Sequence, residues 1–221
     1  HAVESFASQQ RRTKRRIVPL YSLMVATEPI SPHIWNEIEW SGRETFADGR
    51  NMVTYAQRTA DNRIAFGGRG APYHLGSRIS SKFDVNEQIH DRLRKTVRET
   101  FPALGDLKFT HQWGGPIGAP RDWHAFANVD HKTGLCSGGG YVGDGVTLSY
   151  LVAKTLAMTI SDQKIPNLPF VNQRIGNWEI EPIRYLAVNA GFKATVAADY
   201  EEKITGRPSV IASLVDPLIN R

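Results

Sequence analysis

The residues best suited to chemistry lie at 138–148, GGGYVGDGVTL, where Gly138, Gly139, Gly140, Gly143 and Gly145 crowd the start of a helical pattern. Leu148, Leu151, Val152, Leu156 and Ile160 then recur at steps of three and four, which puts them on one helix face. Glycine lets backbone approach a ligand closely because no Cβ intervenes. A helix beginning there turns free N–H groups and the positive end of its dipole toward whatever lies in front. The chemistry on offer is a seat for an electron-rich or anionic group. A strand-to-helix turn without a ligand uses the same residues, and the motif alone does not choose between them.

Gly138, Gly140 and Gly143 also spell G-x-G-x-x-G. That fingerprint opens a βαβ unit and requires an acidic residue about 20 residues further on. Asp162 falls near that distance, but a helix end and Gln163-Lys164-Ile165-Pro166 surround it rather than a strand. The run is therefore not the opening of a first βαβ unit. No H-x-x-x-H, C-x-x-C or paired-carboxylate pattern occurs, and His90 and His111 stand singly, so no metal site is expected. Cys136 has no partner for an intrachain disulfide and reads as an inert, buried thiol. A single cysteine suits a reducing, cytoplasmic compartment.

These residues must be held by the elements around them. Residues 1–10 read as the end of a helix with Val3, Phe6 and Ala7 on one side, and 17–27 as a largely buried strand ended by Pro29 and Pro32. Residues 42–50 look like loop; 52–57 and 63–67 look like a hairpin turning at 59–62. A glycine-rich loop covers 67–78. Asp84 with Glu87 resembles a capping box, opening a helix with Ile89, Leu93 and Val97 inward that ends before Pro102. A strand at 107–113 should stop at Gly114-Gly115-Pro116, with Trp113 in the core, and 123–129 is extended. The tail from Pro166 is loop-rich, with one helix near 194–204. Strands followed by single helices indicate an α+β, mixed α/β fold rather than a repeated βαβ array.

With 41% apolar and 22% charged residues, the 221-residue chain has ordinary globular composition. Its net charge of +5 owes much to Arg11, Arg12, Lys14, Arg15 and Arg16, which read as a solvated loop; nucleic-acid binding is the alternative that a salt-dependent shift would reveal. No run approaches the roughly 18 apolar residues of a membrane span. No signal peptide is recognised, and a first residue of His rather than Met suggests a piece of a longer protein.

Four runs in order, RRIVPLYSLMVATEPI, YAQRTADNRIAFGGRGAPYH, FTHQWGGPIGAPRDW and GLCSGGGYVGDGVTLSYLVAKTLA, resemble the C-terminal half of FAD-dependent oxidoreductases of the D-amino-acid-oxidase-like family, which includes glycine oxidase and sarcosine oxidase. The resemblance covers residues 10–185. It implies that 1–16 is a remnant of the FAD-binding domain, 17–135 a substrate domain on a mixed sheet, and 136–221 the return to the FAD domain. It also implies that the backbone of Gly138, Gly139, Gly140, Tyr141, Val142, Gly143, Gly145 and Val146 lies against the flavin. The family's N-terminal dinucleotide-binding unit, which grips the ADP half of FAD, has no counterpart upstream of residue 17, so the chain alone is expected neither to hold FAD tightly nor to turn over.

Many relatives clamp a substrate carboxylate with an arginine directly after the glycines of a G-x-R-P-x-R run. Here Trp113-Gly114-Gly115-Pro116-Ile117-Gly118-Ala119-Pro120-Arg121 delays the arginine, which brings amines as well as amino acids into play. Arg121 either substitutes through a bidentate contact or pairs with Asp122 or Glu28. Arg69, Tyr73 and His74, in the glycine-rich loop, are the other substrate candidates. The reaction implied is hydride transfer from an amine or amino acid to FAD, the cofactor doing the chemistry that no triad is present to do. A non-catalytic module that kept the fold and lost FAD is the competing expectation. The partners expected are a small-molecule amine or amino acid and the N-terminal half of the same protein, with no membrane and no nucleic acid.

Overall fold

The computed structural model describes residues 2–70 and 72–219, without the side chains of Arg69 and of 216–219. The apolar run IVPLYSLMVAT becomes β1 (Ile17–Thr27), in which only Ser22 and Met24 are not buried. Its alternation serves two cores at once. Tyr21, Leu23 and Val25 join one cluster, while Val18 and Leu20 join another with Tyr73, Ala119, Val142 and Trp178. A strand buried on both faces has no polar side to show, and its sequence therefore reads as a continuous apolar run.

Around β1 the chain builds a five-stranded sheet in the order β2-β3-β4-β1-β5, with β2 (Thr45–Ala47), β3 (Thr54–Arg58), β4 (Ile64–Arg69) and β5 (Phe109–Pro120). Every pairing in it is antiparallel, so the mixed sheet expected from the sequence is corrected to an antiparallel one. The expected β3–β4 hairpin forms, with Asn62 at φ 61° in its turn. Residues 45–47, expected as loop, are a short strand on Gln57–Tyr55 of β3. Pro19 is tolerated because β4 covers only Ser22–Ala26 of β1, leaving the first half of β1 paired on one side alone.

β5 does not stop at Gly114. It runs on through Gly115 and Pro116 to Pro120, paired with β1 from Thr27 back to Ile17. The glycine marks a close approach, not a break: a Cβ at Gly114 would lie 2.7 Å from the Asp84 carbonyl oxygen and against Leu23. β5 is an edge strand, which is where proline can enter a ladder. Trp113, expected in the core, is 40% exposed.

The helix α2 (Glu87–Thr100), preceded by a short α1 (Pro32–Glu37), lays Leu93 and Val97 on the first core. Its N-cap is Asn86, whose side chain accepts from the Ile89 N–H at 3.2 Å; Asp84 instead ends a 3-10 turn. His90 is fully buried and satisfied, with Nδ1 at 3.4 Å from the Asn86 N–H and Nε2 at 3.3 Å from the Trp113 carbonyl.

After β5 comes a second, two-stranded sheet of β6 (Phe126–Asp130) and β7 (Leu135–Gly139), then α3 (Gly145–Ile160) packed across both. This hairpin straddles residues 135 and 136, where the sequence suggested a domain division. The tail is more helical than expected: α4 (Ile183–Thr205) ends at Gly206 in the left-handed conformation, and α5 (Val210–Ile219) folds back on it. No described helix is long and apolar enough to cross a membrane.

Candidate functional site

The turn between β7 and α3 is built by three residues at positive φ, Gly140 (76°), Val142 (50°) and Gly143 (106°). The conformation reverses the chain within a few residues and aims α3 outward. At Gly140 no side chain fits: a Cβ would lie 2.5 Å from Pro120 Cγ and 2.9 Å from the His124 carbonyl oxygen. The turn is thus pressed onto the end of β5 and the loop after it. Val142, although at positive φ, anchors the turn by burying its side chain in the second core.

Of the eight residues expected to face a ligand, Val142 is the one anchored in the second core, and the other seven divide into three groups. Gly138 and Gly139 are buried in β7, paired with Ala127 and Phe126; a Cβ at Gly138 would meet Val152 of α3 at 2.5 Å, so this glycine serves helix packing. Gly140 and Tyr141 have their amides occupied, donating to the Glu4 carboxylate at 3.0 Å and 3.3 Å. Only Gly143, Gly145 and Val146 stand open, with Val146 94% exposed. Here the helix start is unfilled. Asp144 makes no side-chain cap, and among the described residues no acceptor takes the N–H of Gly145, Val146 or Thr147. Leu148 is the first amide with an intrahelical partner, the Asp144 carbonyl at 3.3 Å. Three aligned donors and the positive end of a 16-residue helix therefore face outward.

Glu4 is the residue that sequence spacing could not supply, because it lies 136 positions from Gly140. Burial pushes its carboxyl above the usual carboxylate range, and the amides of Gly140, Tyr141 and Gly118 oppose that shift. The Tyr141 hydroxyl is pushed up as well, first by burial and then by the Glu4 charge. Behind the carboxylate is a cavity of about 40 Å³ lined by residues including Glu4, Thr13, Arg16, Phe126 and Gly138. That volume is sufficient for water.

The substrate candidates stand in different surroundings. Arg121 follows the end of β5 and so stands beside the turn; its Nε is 3.2 Å from Glu179 and its guanidinium lies 5.2 Å from the Trp178 ring centre. Glu179, its partner here, is delivered by Trp178, which bonds Ala119 and Arg15. Arg69 ends β4 opposite Ser22, about 17 Å along β1 from the Ile17–Pro120 pair, and its side chain lies outside the described residues. Tyr73 is not exposed loop but core, 1% accessible, its hydroxyl 2.6 Å from Glu181. Glu181 also accepts from Arg184, Gly76 and Tyr185, so Tyr73 belongs to a structural knot joining the 73–77 loop to α4. His74 stacks on Phe83 at 3.5 Å between ring centres, and burial, then the nearby Arg78 charge, hold its pKa down. Cys136, expected buried, is partly accessible. Among the described residues no group of three metal-binding side chains occurs.

The family model described as DAO, FAD dependent oxidoreductase, matches residues 2–159. The chain is 31% identical over 145 residues to a probable oxidoreductase OrdL of Rhizobium meliloti, covering 66% of this chain and 31% of that protein. It is 29% identical over 147 residues to a probable oxidoreductase OrdL of Haemophilus influenzae, covering 66% and 30%. It spans about a third of the length of these curated relatives. Among solved structures, L-proline dehydrogenase from P. horikoshii superposes with a TM-score of 0.61 at 18% identity, covering 76% of this chain and 43% of that one. Glycine oxidase from Geobacillus kaustophilus gives 0.56 at 16% identity, covering 77% and 44%. At such identities the likeness concerns the fold.

Proposed function

The chain belongs to the FAD-dependent oxidoreductase family, and from that premise we propose that it forms the substrate side and the ring-facing edge of the cofactor site in an enzyme that oxidises the C–N bond of an amine or amino acid. The observation that carries this reading is the open start of α3, where the Gly145, Val146 and Thr147 amides point outward with no acceptor among the described residues. These residues fit the electron-rich edge of a flavin. They offer three donors, a positive dipole end and, at Gly143 and Gly145, no side chain in the way. Bound FAD supplies the acceptor for the electrons taken from substrate.

The chain's own part is to bind and orient. Gly143, Gly145, Val146 and Thr147 hold the edge of the ring system, and Gly140, Tyr141 and Val142 fix the turn that presents them. Gly138 and Gly139 act from behind by letting α3 close on the β6–β7 hairpin. Arg121, just past the end of β5 on which the turn is pressed, is the substrate-orienting candidate. Its bond to Glu179 lowers its net charge toward a substrate, which favours an amine over a carboxylate clamped alone. The structural neighbours named for L-proline and glycine accord with a C–N substrate. On this reading, a dinucleotide-binding unit is supplied by chain beyond the part of the relatives' length that is matched here. We draw the division between the substrate side and the cofactor side between β5 and β6, since the β6–β7 hairpin packs with α3.

The test is the visible spectrum of the full-length enzyme. A flavin band that bleaches on anaerobic addition of an amine or amino acid supports the reading, and a folded protein with no flavin overturns it. Gly145→Val then locates the site. Its Cβ meets only Tyr141, at 3.6 Å, and Gly145 has no positive φ, so the apo protein should melt within a few degrees of wild type while the flavin-to-protein ratio falls severalfold. Gly143 is a poorer probe, since its φ of 106° would strain any side chain whatever the ligand does.

A further inference from the structure

We propose that Glu4 is the positioning residue of the ring-facing turn, its carboxylate clamping the Gly140 and Tyr141 amides beside β5 and thereby setting where the start of α3 points. The inference rests on the reading of that turn as a cofactor seat. Its geometry stands independently. One carboxylate oxygen is 3.0 Å from the Gly140 nitrogen and the other 3.3 Å from the Tyr141 nitrogen. Three glycines are fitted to this carboxylate or to the turn it holds. A Cβ at Gly139 would stand 2.8 Å from one oxygen, a Cβ at Gly118 3.0 Å from the other, and Gly140 itself has no room for one. Part of the glycine crowding that suggests a ligand from sequence is thus explained by a side chain of the same protein.

The clamp is held from its own side. Glu4 sits at φ 44°, uncommon for a residue with a side chain, at the head of a 3-10 segment spanning Glu4–Gln9. Ser5 and Ser8 of that segment are buried and bonded to each other, Thr13 bonds the Ala7 carbonyl, and Gln9 reaches the Ser77 carbonyl at 2.6 Å. A backbone in a sparsely populated region persists when its surroundings over-determine it, and here they aim one carboxylate at two amides. Without Glu4 those amides lose their acceptor inside a packed turn, and the turn is free to settle elsewhere. With it, Gly140 and Tyr141 are satisfied internally, while the amides of Gly145, Val146 and Thr147 remain without an acceptor among the described residues.

The experiment compares Glu4→Ala and Glu4→Gln with wild type in the full-length enzyme. It measures FAD dissociation constants, flavin absorption maxima, apo melting temperatures, and hydrogen exchange of the Gly140 and Tyr141 amides in the apo form. Glu4→Ala should weaken FAD binding about tenfold or more and speed exchange at both amides comparably, with Glu4→Gln, which keeps one acceptor oxygen, in between. If Glu4→Ala does not fold, the same measurements on Glu4→Gln decide. Unchanged protection of the two amides overturns the clamp. Fast exchange with unchanged FAD affinity and spectrum overturns the positioning role. Gly145→Val separates this outcome from the parent reading: if it loses flavin while folded Glu4→Ala does not, the cofactor seat stands and Glu4 has no part in it. If neither variant loses flavin, both ideas fall.

Discussion

Val146 offers the sharpest residue-scale test of electrostatics. It is 94% exposed at the second position of α3, beside amides with no acceptor among the described residues. A carboxylate there complements the helix dipole, so Val146→Glu should stabilise the apo protein by about 0.3–1 kcal/mol. Under the proposed placement of the ring, the same charge opposes the negative charge that a reduced cofactor would gather at that edge, so the flavin midpoint potential should fall. Val146→Lys should shift both quantities the other way. Opposite signs for apo melting temperature and midpoint potential would be expected of a helix start that faces the ring; a melting shift with an unmoved potential would mean that the ring lies elsewhere. His74 and Tyr73 show how one loop separates roles that sequence leaves together, since one stacks on Phe83 and the other seals the second core.

At the scale of elements, α4 is tied to the rest of the chain through Glu181. Burial alone would raise its carboxyl, but bonds from Tyr73, Arg184 and Gly76 more than offset this and hold it below the usual range. A folded-state value below the unfolded one gives stability that is present above the unfolded pKa and lost as pH falls through the folded value. Arg184 is 6% exposed on its side chain, so Glu181→Gln leaves a buried guanidinium short of its partner and should cost about 3 kcal/mol at neutral pH. The cost should shrink toward acid as the wild-type carboxylate protonates. Urea melts of both proteins across the acid range check this, and a pH-independent difference would mean that Glu181 acts through shape rather than charge.

At the scale of the whole molecule, α3 is apolar on two sides. Val152 and Thr155 are buried against the hairpin, while Tyr150 and Ile160 are 69% and 61% exposed and, with Val146, Ala153 and Ala157, form a stripe at steps of four and three. A helix with an exposed apolar stripe besides its buried one belongs inside a larger assembly. We propose that in a full-length enzyme a dinucleotide-binding part covers this stripe. Tyr150→Asp should then lower full-length stability by about 2 kcal/mol, yet make the present chain alone less prone to associate, as read by melting and by size-exclusion elution. An unchanged full-length melting temperature would leave the stripe uncovered and sink this expectation.

Much of the fold could be read from the chain itself, because local patterns carry it. β1 announced itself by its apolar run, the β3–β4 hairpin by its polar turn, α2 by Ile89, Leu93 and Val97, and α3 by glycines followed by helical spacing. Where the sequence misled, a distant partner had overridden a local signal. Gly114-Gly115-Pro116 resembles a strand end, yet β1 supplies an unbroken ladder that carries β5 past it. The site divides in the same way. That a helix start at 145 presents free amides follows from sequence, since the first turn of any helix lacks internal acceptors. Which amides stay free does not follow, because the acceptor that occupies Gly140 and Tyr141 comes from Glu4, more than half the chain away. Local order is dictated by neighbouring residues, whereas the choice of which backbone groups remain for a ligand is made only when packing brings remote side chains to them.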